Sequence, residues 1–351
     1  MKTKIYTLLL FIVASFTACI EPFDITAETD ISRLVVDARI TDEPGVKTVR
    51  LFYTVTSDAE ATGKFPPLRN ATVVISDDKG NTATLAEMLP GTYQTTAIQG
   101  IVGNTYTLTI TTPEGKEYKS SPELMAATPA MDKLYWEVKR KQYINENGNV
   151  AYLPPVLQVF VDTKDPANEK NYYQWKWQGV YQVKTQPEDY KVLVGPNWVS
   201  RPKDCCEDCW VTDDKTTTLN VQDDRLINGQ EVKRKLVAEV PMNEFTFGIR
   251  HYIEIHQFSL SEGAYDYWRT LKTQISTGSD VQAPPPATVV GNVVNINDPK
   301  EKVLGYFGAS AVSKSSFFIT QYDAGVYFPT LVYPDDCRVI PNSTAERPLY
   351  W

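Results

Sequence analysis

Ser32-Arg33-Leu34-Val35-Val36-Asp37-Ala38-Arg39-Ile40, then Asp42-Glu43-Pro44-Gly45, then Val46 to Thr56, is the stretch that decides the fold class. The first run reads as a strand, and the Asp-Glu-Pro-Gly run is a turn signal. In the third run Val49, Leu51 and Tyr53 fall on one face, as a half-buried hairpin partner requires. Ala71 to Ser76, the turn Asp77-Asp78-Lys79-Gly80-Asn81 and Thr82 to Leu85 repeat the pattern. Gly91-Thr92-Tyr93, Tyr106 to Ile110 and Glu117 to Ser120 add further strands. About seven short strands with a turn signal roughly every ten residues predict an immunoglobulin-like β-sandwich over residues 32–125.

Beyond a joint at Ala126-Ala127-Thr128-Pro129-Ala130, residues 126–351 read as a second β-rich domain with one packed helix. Leu157, Val159 and Val161 alternate with polar or outward residues, as do Tyr173, Trp175 and Trp177. Ser261 can cap a helix running to Ile275, with Tyr265, Trp268, Leu271 and Ile275 on one stripe. Residues from about 185 to 221 form an irregular insertion holding Trp198, Cys205, Cys206, Cys209 and Trp210. Insertions of this length inside a domain are stapled or functional. Trp175, Trp177, Trp198 and Trp210 are therefore candidate ligand-contact aromatics, although alternating aromatic rows more often form core.

The leader has a different composition. Lys2 and Lys4 precede the apolar run Leu8 to Val13, and Thr17-Ala18 stand before Cys19. These features predict a lipoprotein signal peptide over residues 1–18, cleavage before Cys19 and acylation of that cysteine. The run is too short for a spanning helix, which needs about 20 apolar residues. Residues 19–31 then form an acidic tether with Glu21 and Asp24 near the lipid site. Losing Lys2 and Lys4 moves the net charge from −8 to −10. An acidic chain without Lys/Arg runs lacks the footprint of a nucleic-acid binder, so membrane contact is expected through acyl chains.

With Cys19 assigned to lipid, Cys205, Cys206, Cys209 and Cys337 remain as disulfide candidates in an oxidising compartment. Four cysteines allow three pairings. A vicinal bond is strained, which favours one local bridge to Cys209 and one long bridge to Cys337, tying the tail to the middle of the chain. A zinc site using the Cys-x-x-Cys spacing is the alternative. His251 and His256, five residues apart, lie on opposite faces of a strand and cannot share a metal. Glu254 and His256 share a face as a candidate acid–base pair, and Asp162 to Pro166 is a candidate ion loop whose oxygen-ligand pattern is incomplete. No metal or cofactor is expected.

Several of these segments together resemble a known family. Pro284-Pro285-Pro286-Ala287, Gly291-Asn292-Val293, Asp298-Pro299 and Val303-Leu304-Gly305-Tyr306-Phe307, after the Tyr265/Trp268 helix, resemble the domain-of-unknown-function family DUF4249, exported lipoproteins of Bacteroidota. Leu34 to Ala38, Gly91-Thr92-Tyr93 and Gly103-Asn104-Thr105-Tyr106 extend the likeness through the N-terminal half. The resemblance implies an accessory role at the outer membrane beside a TonB-dependent β-barrel transporter, and it supplies no catalytic residues. The sequence also lacks a Gly-x-Ser-x-Gly elbow, a His-Glu-x-x-His helix and a phosphate loop. The expectation is a non-enzymatic, lipid-anchored outer-membrane protein that captures a ligand for such a transporter. A free-standing adhesin or glycan binder is the alternative; an exported hydrolase would need two carboxylates meeting in space.

Overall fold

The computed structural model describes residues 32–54, 65–167, 169–213, 219–277, 289–329, 331 and 333–351. Cys19 with its leader and tether, and the Pro284-Pro285-Pro286-Ala287 segment, lie outside the described residues. The opening hairpin forms as expected. Strand Leu34–Thr41 pairs antiparallel with Lys47–Tyr53, from Leu34 opposite Tyr53 to Arg39 opposite Thr48. Leu34, Val36, Ala38 and Ile40 point inward, with Val49 and Leu51 beside them. Gly45 closes the turn at φ +104°, a conformation that favours glycine.

Ten strands make one sheet. Its order is Val293–Asn295, Glu117–Ser120, Thr105–Thr111, Thr72–Asp77, Thr82–Leu89, Thr92–Thr95, Lys47–Tyr53, Leu34–Thr41 and Leu304–Ser310, with Glu123–Leu124 paired beside Thr105–Thr111. Thr82–Leu89 turns the corner between two layers. Residues 82–85 pair with the Thr72–Asp77 strand, and 86–89 pair with Thr92–Thr95. The sheet curls until its ends meet, where the Asn292 amide donates to the Phe307 carbonyl at 2.8 Å and accepts from the Phe307 N–H at 2.9 Å. Satisfying both edge groups blunts an edge that would otherwise be open for pairing.

The division at residue 125 is therefore incomplete as a description of this sheet. Val293–Asn295 and Leu304–Ser310 return from far along the chain, the latter running parallel to Leu34–Thr41 with Val35 opposite Leu304 and Thr41 opposite Ser310. A parallel neighbour needs a crossover, which here runs through the rest of this sheet and most of the second β region. Gly305 makes the approach possible: its φ is +85°, and a Cβ there would run into the Val36 carbonyl.

The second region packs two sheets face to face. Glu231–Pro241, Val156–Lys164 and Met131–Lys139 form one. Val312–Ile319, His251–Ser259, Tyr172–Lys184, Asp208–Asp213 and Ser343–Thr344 form the other, with Asn220–Asp223 also on Tyr172–Lys184. Leu157, Val159 and Val161 meet Tyr173, Trp175, Trp177, Ile253 and Ile255 between them. Burying each large apolar side chain contributes about 1.5–3 kcal/mol against the ordering cost.

The helix Glu262–Thr277 lies at the junction of the two regions. Ser261 caps it, accepting from the Ala264 N–H at 3.1 Å, a contact worth about 1 kcal/mol. Ala264 and Tyr265 pack on Val221, Leu260 and Tyr306, and Trp268 is partly covered. The expected stripe packs only over its first half, because Ile275 is 62% exposed. Among the described residues no helix is long and apolar enough to cross a membrane.

Candidate functional site

Strand direction fixes where the two ends of the molecule lie. Leu304 pairs with Val35 beside the start of the described chain, and Ile319, at the end of the next strand, pairs with His251. At about 3.3 Å per residue, the consecutive strands Leu304–Ser310 and Val312–Ile319 carry the chain up to roughly 50 Å away from Ser32. Tyr172–Lys184 runs the same way, with Tyr173 opposite Ser259 near the junction and Tyr181 opposite His251 beyond it. Its continuation, Thr185, sits at this distal end.

A cleft of about 690 Å³ opens there. One wall is the turn Pro187–Asp189 with the hairpin Lys191–Val194/Asn197–Ser200, which presents Tyr190 and Trp198. The other is the tail segment from Tyr333 to Ile340. Thr185 joins them: it bridges to Tyr333, its N–H donates to Glu207 at 2.8 Å, and its hydroxyl donates to the Cys206 carbonyl at 2.8 Å. Lys203 links the two walls, pairing with Asp335 while its ammonium lies 4.2 Å from the centre of the Tyr190 ring. The Asp335 carboxylate raises the Lys203 pKa. Asp336 caps the short turn Cys337–Val339 and binds the Arg338 guanidinium, which holds its carboxyl well below the usual range.

Covalent bonds fix this arrangement. The bridges are Cys205–Cys206 and Cys209–Cys337, the latter closing a separation of 128 residues. The expected long bridge to Cys337 is present and starts at Cys209; the local bridge is vicinal, where a bond to Cys209 was expected. All four sulfurs are thereby committed to disulfides, which removes the thiolates that a zinc site would need. Among the described residues the buried cluster behind the cleft is Val183, Val211, Cys209 and Cys337, with Tyr181, Cys206 and Ile340 packed against it. So small a core leaves the staples with much of the holding.

Of the four aromatic candidates, the structure opens one. Trp198 is 69% exposed, whereas Trp175 and Trp177 are 2% and 5% exposed within the core. Trp175 donates its indole N–H to Gln257 at 2.9 Å, as a structural tryptophan would. Trp210 is also covered, edge-on to Trp351 with ring centres 6.2 Å apart. Sequence reasoning missed Tyr190, Lys203, Tyr333 and Asp335. The insertion and the cysteine pairing from it to the tail were the signals that pointed to their meeting. The same distal end carries the hairpin Gln142–Ile144/Val150–Tyr152, whose Tyr143, Ile144, Val150 and Tyr152 are exposed.

The remaining polar candidates are structural. His256 binds Glu254 at 2.6 Å, and Glu254 also accepts from Tyr252 at 2.9 Å and Gln178 at 3.0 Å. The His256 contact leads in pulling the Glu254 pKa down to about 2, unsuited to a general acid near neutrality. His251 is buried between Phe247 and Tyr181, and burial pushes its pKa down to about 3. Asp162 accepts from the Arg234 N–H at 2.8 Å, and Asp165 from the Tyr173 hydroxyl at 2.6 Å. Among the described residues no group of three metal-ligating side chains converges. Burial raises the carboxyls of Glu123 and Asp165, but both sit in hydrogen-bonded interior positions away from the cleft.

No curated protein sequence matches the chain. The family model described as "Domain of unknown function (DUF4249)" matches residues 20–316, which include the seam strand Leu304–Ser310, the junction helix and the Cys205–Cys209 insertion. With most of its length matched, the chain belongs to the DUF4249 family.

Proposed function

We propose that the protein is a non-enzymatic outer-membrane lipoprotein, anchored through acyl chains on Cys19, that captures a ligand at its distal cleft for a TonB-dependent β-barrel transporter. One observation carries this reading. The open aromatic cleft lies at the end of the molecule opposite Ser32, where the tether enters. A body tethered at one pole presents the other pole outward. The exposed hairpins at that pole supply apolar surface of the kind that marks interaction sites. A binding role is favoured over hydrolysis because Asp335 and Asp336 are already paired with Lys203 and Arg338.

The test is a mild-detergent pull-down of the tagged full-length protein from its own membranes, read by mass spectrometry. Recovery of a β-barrel transporter is expected. Recovery of the protein alone, in quantity, would overturn the transporter role. A glycan-binding adhesin is the second reading, favoured by Tyr190, Trp198 and Tyr333 standing around one cleft with Asp189 at its edge. Polysaccharide binding that is lost in Trp198→Ala, with no barrel recovered, would select it.

A further inference from the structure

A separate cavity of about 180 Å³ lies at the junction between the first sheet and the second region. At about 30 Å³ per water it has room for a small polyatomic ion. Two cations line it: Arg39 from the first strand and Lys176 from Tyr172–Lys184. The Arg39 guanidinium stacks 4.3 Å from the centre of the Phe258 ring, and the Lys176 ammonium lies 5.5 Å from that of Trp268. These aromatic faces hold the cations in place without neutralising them.

The polar bookkeeping at this cavity does not close. A guanidinium carries five N–H donors, and among the described residues Arg39 uses one side-chain hydrogen bond, to Gln174 Oε1. Gln174 is 1% exposed, and its Nε2 has no partner among the described residues. Lys176 likewise has no acceptor among them beyond its aromatic contact. One carboxylate, Asp37, also lines the cavity and pairs at its exposed side with Arg50 at 3.2 Å, leaving the two cations in excess; Glu43 pairs with Lys314 at 2.6 Å and Glu254 with His256. Burial pushes Arg39 down to about 10 and Lys176 down to about 8, and the Asp37 carboxylate only partly opposes it. The unsatisfied buried donor here is the Gln174 amide, and a native fold keeps few such groups because each is costly.

We propose that the junction cavity is a binding site for a small oxyanion of phosphate or carboxylate type, held by Arg39 and Lys176. The planar guanidinium fork matches two oxygens of such an anion, and the ammonium supplies a point charge from the facing sheet. Because the two cations come from different regions of the fold, the anion clamps the junction. This site is independent of the distal cleft, so it stands or falls apart from the transporter role.

The experiment is calorimetric titration of the purified full-length protein with inorganic phosphate and, separately, with acetate, at constant ionic strength in chloride. Saturable binding of at least one of them at one site per chain is expected, with a rise in melting temperature on saturation. Phosphate and acetate responses tell the two oxyanion classes apart. Lys176→Gln is expected to weaken binding at least about tenfold, the scale of one lost charge-assisted contact, and Lys176→Arg to retain it. Arg39→Gln is a second weakening variant; should it fail to fold, the two Lys176 variants decide the matter. No saturable binding of either anion up to about 10 mM, ten times a 1 mM Kd, would overturn the proposal. So would binding that Lys176→Gln leaves unchanged.

Discussion

At the seam of the first sheet, a strand from residue 304 onward lies against Val36 because Gly305 has no side chain, and Asn292 satisfies both polar groups of Phe307. At the distal cleft, Tyr333 to Ile340 is held to the insertion by Cys209–Cys337 and by Lys203 on Asp335. Both places bring together segments far apart in sequence. The seam does so over a continuous core that includes Leu34, Val36, Ile40 and Phe307, whereas among the described residues the cleft has four buried ones behind it. Close packing needs a large interior; where the interior runs out, covalent closure takes its place. The cleft can then spend its aromatics on exposed surface, as Trp198 does.

That contrast makes Gly305→Val the most damaging substitution expected. It adds a branched side chain at positive φ against backbone, and a loss of more than about 3 kcal/mol in urea unfolding is expected. An unchanged midpoint would mean that the seam is not closely packed. Replacing Cys209 and Cys337 together by Ala should cost about 2–4 kcal/mol. The damage should concentrate at the distal end: hydrogen exchange should accelerate in 185–213 and 333–344 while Leu34–Thr41 keeps its protection. Uniform acceleration would erase the distinction between the two regions.

A smaller effect is expected from His251, which stands in the second region's interior with neither ring nitrogen partnered among the described residues. Its folded pKa of about 3 lies below the ordinary value near 6.5, so the unfolded chain binds the extra proton first. The stability it protects is complete above pH 6.5 and falls as the pH drops toward 3. Between pH 6.5 and 5 the loss should be about 2 kcal/mol, and His251→Phe should abolish that part of the pH dependence. Equal slopes in the two proteins would place His251 in contact with solvent. Trp198→Ala should be the mildest, within about 0.5 kcal/mol of the parent in stability, since its side chain is mostly in water. A larger loss would make Trp198 part of the structure and not of the binding surface.

The opening hairpin was legible in the sequence because alternation and the Asp-Glu-Pro-Gly turn are local. The junction helix was legible for the same reason, through Ser261 and a period of 3.6. The return of Leu304–Ser310 to the first sheet was not, because register between strands so distant depends on which faces remain uncovered. Period-2 alternation likewise marked Tyr173, Trp175 and Trp177 as sharing a face but could not say that a second sheet covers it. Trp198 was picked out by its place in a cysteine-bearing insertion, and its openness became visible only with the fold. Arg39 and Lys176 gave no sequence signal, since each is an ordinary strand cation until the junction brings them together.

The claim that the distal end is the partner-facing surface can be tested by photocrosslinking in intact membranes. One protein would carry a photoreactive amino acid in place of Trp198, and another in place of Lys79 in the exposed turn of the first sheet. Crosslinks from position 198 to a β-barrel transporter, with none from position 79, are the expected result. Crosslinks from 79 alone, or from neither position, would contradict it.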